Sequence, residues 1–101
     1  MRLTLCDYMI VPKYAIDSYS WTPLLISEEI HYNGVDYFIR IGYVSHEPTP
    51  YIRVWSQNGG FCGGSWMTNI NRHEIFRTLP KEVRDVCWQF AERLEKLKAF
   101  A

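Results

Sequence analysis

From Leu24 onward, apolar and polar positions alternate with the period of an extended strand, and from Lys81 they recur with that of a helix. The runs "LLISEEIHY" and "VDYFIRIGYV" flank Asn33-Gly34. This predicts a hairpin with a type I′ turn, because both central residues of that turn need positive φ. In the second strand Val35, Tyr37, Ile39, Ile41 and Tyr43 share one face, and Asp36, Phe38, Arg40 and Val44 share the other. "SHEPTP" breaks the pairing, "YIRVWSQ" starts a further strand, "NGG" turns, and "FCGGSWMT" returns. Residues 2–11 are rich in strand formers and predict a strand ahead of these, followed by the looser "PKYAIDSYSWTP".

The rest reads as helix. Asn71 and Glu74 have the spacing of a capping box, with Asn in place of Ser or Thr. Pro80 stops or kinks that helix and suits the first turn of another. Val83, Val86, Cys87, Phe90, Leu94 and Leu97 then form one apolar stripe, the face expected to cover the sheet. Trp88 falls about 100° or more from the centre of that stripe, on a face otherwise made of Arg84, Asp85, Glu92, Glu95 and Lys96. The expected architecture is α+β, an antiparallel four- to five-stranded meander sheet covered on one face by C-terminal helix. It forms a single domain over 1–101, with an N-terminal strand and loop extension over 1–20, the sheet over 24–68, and a helical segment over 71–99 kinked or broken at Pro80.

Composition narrows the function classes. The chain has 101 residues, 48% hydrophobic and 16% aromatic, which is enough to bury one core. Eleven basic residues balance eleven acidic ones, so no net field draws the chain toward nucleic acid or an anionic membrane. The three cysteines, Cys6, Cys62 and Cys87, have no CxxC or CxxH spacing, which fits reduced thiols in the cytoplasm better than a disulfide framework. The N-terminus does not read as a signal peptide, and no run of apolar residues is long enough to cross a membrane as a helix.

The stretch "SQNGGFCGGSWMTN" is the one place that invites an enzymatic reading. A nucleophilic Cys62 would need a base to form the thiolate and a group to orient that base. His31, His46 and His73 are available, but none stands in a motif relation to Cys62. "GGFCGG" lacks the lysine of a phosphate loop. The histidines and cysteines lack metal-ligand spacing, and Glu28 and Glu29 are strand neighbours that face opposite sides. The expectation is no catalytic residues, no metal and no cofactor, with the glycines serving a turn and a strand.

The aromatic residues are more numerous than one helix-covered face requires. If the helix covers one face of the sheet, the other carries either Tyr51, Arg53 and Trp55 or the Val35–Tyr43 row. An exposed row of aromatics with arginine suits stacking on bases and equally suits a protein contact. The run "PYIRVWSQNGGFCGGSWMTN" followed by a helix resembles the positive-cofactor-four-like family of single-stranded-DNA-binding transcription coactivators over about residues 24–97. Ile52, Arg53, Trp55, Ser56 and Gly63 match that layout, and Asn69 stands where a cap residue would be. The resemblance implies four strands and a C-terminal helix, with single-stranded DNA held on the sheet. The family's lysine falls on Gly64 and its following glycine on Ser65, Pro80 interrupts the helix, and the segment 1–20 is additional. Loss of that lysine removes a phosphate contact that the neutral chain does not replace.

The function expected from the sequence is therefore non-enzymatic binding of another protein, as an adaptor or as an inhibitor of a larger host enzyme or complex, a role that a phage or mobile element could encode. Trp88, Trp55 and Tyr51 are the expected protein-contact residues, and a homodimer through the C-terminal helix is the symmetric form of such contact. The alternative is single-stranded nucleic-acid binding through Arg40, Arg53, Trp55 and Tyr51, and catalysis ranks third. No membrane partner is expected.

Overall fold

The computed structural model describes residues 4–5, 12–15, 21–44, 48–69 and 74–98. Five strands, β1 (Thr4–Leu5), β2 (Trp21–Tyr32), β3 (Val35–Val44), β4 (Tyr51–Ser56) and β5 (Gly60–Trp66), form one sheet in the order β1-β2-β3-β4-β5. Every neighbouring pair is antiparallel, so the fold is an α+β meander. A short 3₁₀ turn, Met67–Asn69, leaves the sheet, and a single helical turn, α1 (Glu74–Arg77), precedes the long helix α2 (Lys81–Lys98). The expected strand over 2–11 is described only at Thr4–Leu5, and Asn71 lies outside the described residues.

The Asn33-Gly34 turn adopts the backbone its residues favour. Asn33 has φ 49° and Gly34 φ 75°, and Tyr32 pairs directly with Val35. This two-residue turn sets the register of the longest strand pair, so Ile26, Ile41 and Ile52 line up across three strands. They face α2 together with Tyr37, Ile39, Tyr43 and Val54, against Val83, Cys87, Phe90 and Leu94. Burying such side chains supplies about 1.5–3 kcal/mol each, and this layer is the main core. Pro80 has no N–H to continue a helix, so α1 ends before it and α2 starts after it. The Arg84 N–H donates to the Pro80 carbonyl at 3.1 Å and opens the α2 ladder. Among the described residues no helix is long and apolar enough to cross a membrane.

The second face of the sheet is covered as well. Phe38 and Trp55 are cross-strand partners with ring centroids 5.9 Å apart, and each is only 1% exposed. The turn Pro12–Ala15, closed by the Ala15 N–H donating to the Pro12 carbonyl at 2.9 Å, places Ala15 in this second cluster with Tyr14 partly buried against it. The Tyr14 hydroxyl donates to Glu29 at 3.4 Å and fastens the turn to β2. Consequently β3 is buried continuously from Tyr37 to Val44, on both faces. The expectation of an open row including Trp55 is corrected here. An exposed Phe–Trp pair would leave a few hundred Å² of ring surface in water, and the N-terminal turn removes it.

Trp55 is thus a core residue. Trp55→Ala is expected to cost about 3–5 kcal/mol, read as a fall in the urea midpoint at unchanged slope. A loss within about 0.5 kcal/mol, the range of surface substitutions, would show that the second face is open.

Candidate functional site

The residues expected to bind nucleic acid are brought to one face, but not as a platform. Arg40 and Arg53 are cross-strand neighbours on the second face. The Arg53 guanidinium lies over the Trp55 ring at 5.5 Å, and that of Arg40 over the Phe38 ring at 5.8 Å. Arg40 is only 8% exposed, and Tyr51 and Arg53 are half-buried. Arg40 and Trp55 therefore do not present a surface on which a base could stack.

Tyr51 is occupied in another way. Its ring packs edge-on against Trp66 at 4.9 Å and is tilted against Trp21 at 6.3 Å. The trio rests on glycines. A side chain on Gly64 would come within 2.7 Å of the Tyr51 hydroxyl, and one on Gly42 would meet the Leu24 carbonyl oxygen at 2.9 Å and the Trp21 ring at 3.2 Å. Large rings thus fill the room that missing side chains leave, including at edge strand β5. Gly64, which stands where the resembled family carries lysine, is the floor under Tyr51.

The glycine-rich stretch divides into a turn, Gln57–Gly59, and β5. The Gly59 N–H donates to Ser56 Oγ at 3.0 Å, and Gly60 takes φ 67°. The register shifts between Val54 and Trp55, so Cys62 is the extra residue of a β-bulge. Cys62 is half-buried against the helix-side core, and its thiol donates to the Gly60 carbonyl at 3.7 Å. His31 lies on the opposite face, paired with Asp36. Cys6, His46 and His73 lie outside the described residues. Among the described residues no group of three His, Cys, Asp or Glu side chains could hold a metal ion.

An open groove of about 360 Å³ lies where α2 passes the start of β4. The segment Pro48–Pro50 forms one wall, Met67 and Thr68 the floor, and α2 the other wall. The Met67 N–H donates to the Pro50 carbonyl at 2.9 Å and joins wall to floor. On α2 the lining residues are Trp88, Ala91, Glu92 and Glu95, spaced i, i+3, i+4 and i+7, which is one strip along the helix. Trp88 is half-buried, packs on the main core and lines the groove. It does not stand alone on a charged face as its wheel position implies, because Pro48–Pro50 and the 3₁₀ turn rise to meet it.

The electrostatics of the groove are acidic. Glu95 accepts the Tyr43 hydroxyl at 2.7 Å, and the Lys98 ammonium sits over the Tyr43 ring at 4.3 Å. Burial, together with the Glu95 carboxylate, holds the Tyr43 hydroxyl well above its ordinary range. Glu92 is exposed and makes no ion pair among the described residues. The α2 side of this arrangement was readable as a Trp88–Ala91–Glu92–Glu95 strip. The opposite wall was not, because Pro48 and Pro50 show only that the chain turns.

Comparison of the chain with family models, curated proteins and solved structures returns no match.

Burial beneath α2 pushes the Cys87 thiol from 9.0 up to about 12. Cys87 and Tyr43 therefore both keep their protons in the folded chain at pH values where the unfolded chain releases them. Their contribution is complete below about pH 9 and is lost as pH rises toward 12. The urea midpoint is expected to fall between about pH 8.5 and pH 10.5, with Cys87→Ala flattening the thiol's share of the fall. A midpoint constant across that window would refute the burial of both groups.

Proposed function

We propose that the chain is a non-enzymatic protein-binding domain of adaptor or inhibitor type, and that the groove beside Trp88 is where its partner docks. The observation that carries this reading is the groove itself. Pro48, Pro50, Met67, Trp88 and Ala91 supply a mainly apolar, open lining, shared with Thr49, Thr68 and the carboxylates of Glu92 and Glu95. Tryptophan in a lining of this kind is the residue type that most often anchors a protein contact. A volume of about 360 Å³ lies at the small end of ligand sites, suited to one or two side chains of a partner. Proline walls lose little freedom on binding, which favours a preformed site. The thiols of Cys62 and Cys87 are both free, which fits a reducing compartment such as the cytoplasm.

Binding of single-stranded nucleic acid is the weaker reading, since Trp55 and Arg40 are covered. The resemblance to the single-stranded-DNA-binding family supports it through Arg53, and the same sheet face adds Tyr51, but both are half-buried. A homodimer through α2 would use the same strip and would show as a mass that rises with concentration.

The test is a capture from native host lysate, with and without nuclease, using wild type, Trp88→Ala and Thr68→Arg. Thr68 is exposed at the groove, so an arginine there obstructs it without entering the core. A protein that survives nuclease and is lost with both variants is the expected outcome. A partner retained at full strength by Thr68→Arg, or nucleic acid as the only co-purifying species, would overturn the proposal.

A further inference from the structure

We infer that the groove's occupant is a partner segment carrying an apolar side chain next to a lysine or arginine. The inference rests on the docking reading above and adds the partner's chemistry to it.

The lining is graded along the α2 strip. Trp88 and Ala91 give the first part of the strip an apolar side, and Pro48, Pro50 and Met67 add apolar lining across from α2, with the hydroxyls of Thr49 and Thr68 among them. At the other end stand Glu92 and Glu95, and Glu92 makes no ion pair among the described residues. Four residues separate Trp88 from Glu92 and seven separate it from Glu95, so the carboxylates lie about 6 and 10 Å further along the helix. That is the reach of about two to three residues of extended chain. An apolar side chain against Trp88 thus places a neighbouring cationic side chain at the carboxylates.

Glu95 is not a loosely placed charge. The Tyr43 hydroxyl at 2.7 Å holds one of its carboxylate oxygens, and the residue lines the groove. A positioned carboxylate beside a second, exposed one favours a cation that can reach both, and guanidinium and ammonium groups do this on a flexible stem. Lys98, three residues beyond Glu95, is held over the Tyr43 ring at 4.3 Å, and Arg93 and Lys96 line a separate depression with Glu92, so none of the three is among the residues lining the groove. An acidic segment would be repelled by both carboxylates, and a purely apolar one would desolvate Glu92 without a partner and Glu95 with only the Tyr43 hydroxyl, which is unfavourable. Charge thus selects among the apolar segments that the lining alone would accept.

The test uses a displayed library of random linear peptides panned on the full chain, with enriched sequences made as free peptides and measured by calorimetry. Enriched peptides are expected to carry Lys or Arg within three residues of a large apolar side chain. Their affinity is expected to fall about five- to tenfold with Glu92→Lys, a solvent-exposed substitution. It should fall further when Glu95→Lys is added, and it should weaken with rising salt. Peptides that lack a cation, or that bind Glu92→Lys as tightly as wild type, would overturn the inference. If these still lose binding with Thr68→Arg, the groove remains the docking site. If no enriched peptide is sensitive to Thr68→Arg or Trp88→Ala, the docking reading fails with it.

Discussion

The central strand β3 is buried on both faces, and the rest of the molecule follows from covering it. Eight consecutive residues, Tyr37–Val44, are buried, including the charged Arg40. A strand in this position needs one layer above and another below, yet among the described residues there is one long helix to supply. α2 takes the Ile39, Ile41 and Tyr43 side. On the other side the cover is assembled from small parts. Ala15 and Tyr14 close over Phe38 and Trp55, while Trp21, Tyr51 and Trp66 pack on one another above Gly42 and Gly64.

This second cover accounts for the composition. A domain of this size with a single helix layer has no use for so many aromatic residues, unless some of them serve as a layer. Rings do that economically, since each removes a large area from water while ordering few torsions. The glycines are the complement of the rings, and a methyl group at Gly42 would strike backbone as well as side chain. Arg40 and Arg53 belong to the same layer, with guanidinium groups laid over Phe38 and Trp55. Each such contact is worth about 0.5–2 kcal/mol depending on desolvation, enough to hold the two arginines along the sheet.

The groove arises at the corner where the two covers meet. Tyr51 and Trp66 turn to the second face, so their chain neighbours Pro50 and Met67 turn to the helix side. The same pairing that builds the aromatic trio therefore sets the floor and one wall of the site beside Trp88. Pro50 and Met67, which continue β4 and β5, keep the spacing of that ladder through the Met67 N–H bond to the Pro50 carbonyl.

The local signals in the chain determined the elements. Asn33-Gly34 dictated a two-residue turn and with it the register of β2 and β3, and the apolar repeat after Pro80 dictated which side of α2 is buried. These depend on neighbours within a few residues, where backbone sterics and periodicity decide the outcome. The double burial of β3 also left a trace, since "YFIRIGYV" is apolar at both parities apart from Arg40 and Gly42. Only the tertiary structure decided what covers the second face, because Pro12–Ala15 meets Trp55 across a separation of some forty residues that no local pattern encodes. The same holds for Trp88. Its angle on the helix marked it as off the core stripe, but whether it meets water, a partner or its own chain depended on where Pro48–Pro50 and Met67 were delivered. Strand pairing between distant segments made that delivery, and its register is a property of the whole sheet.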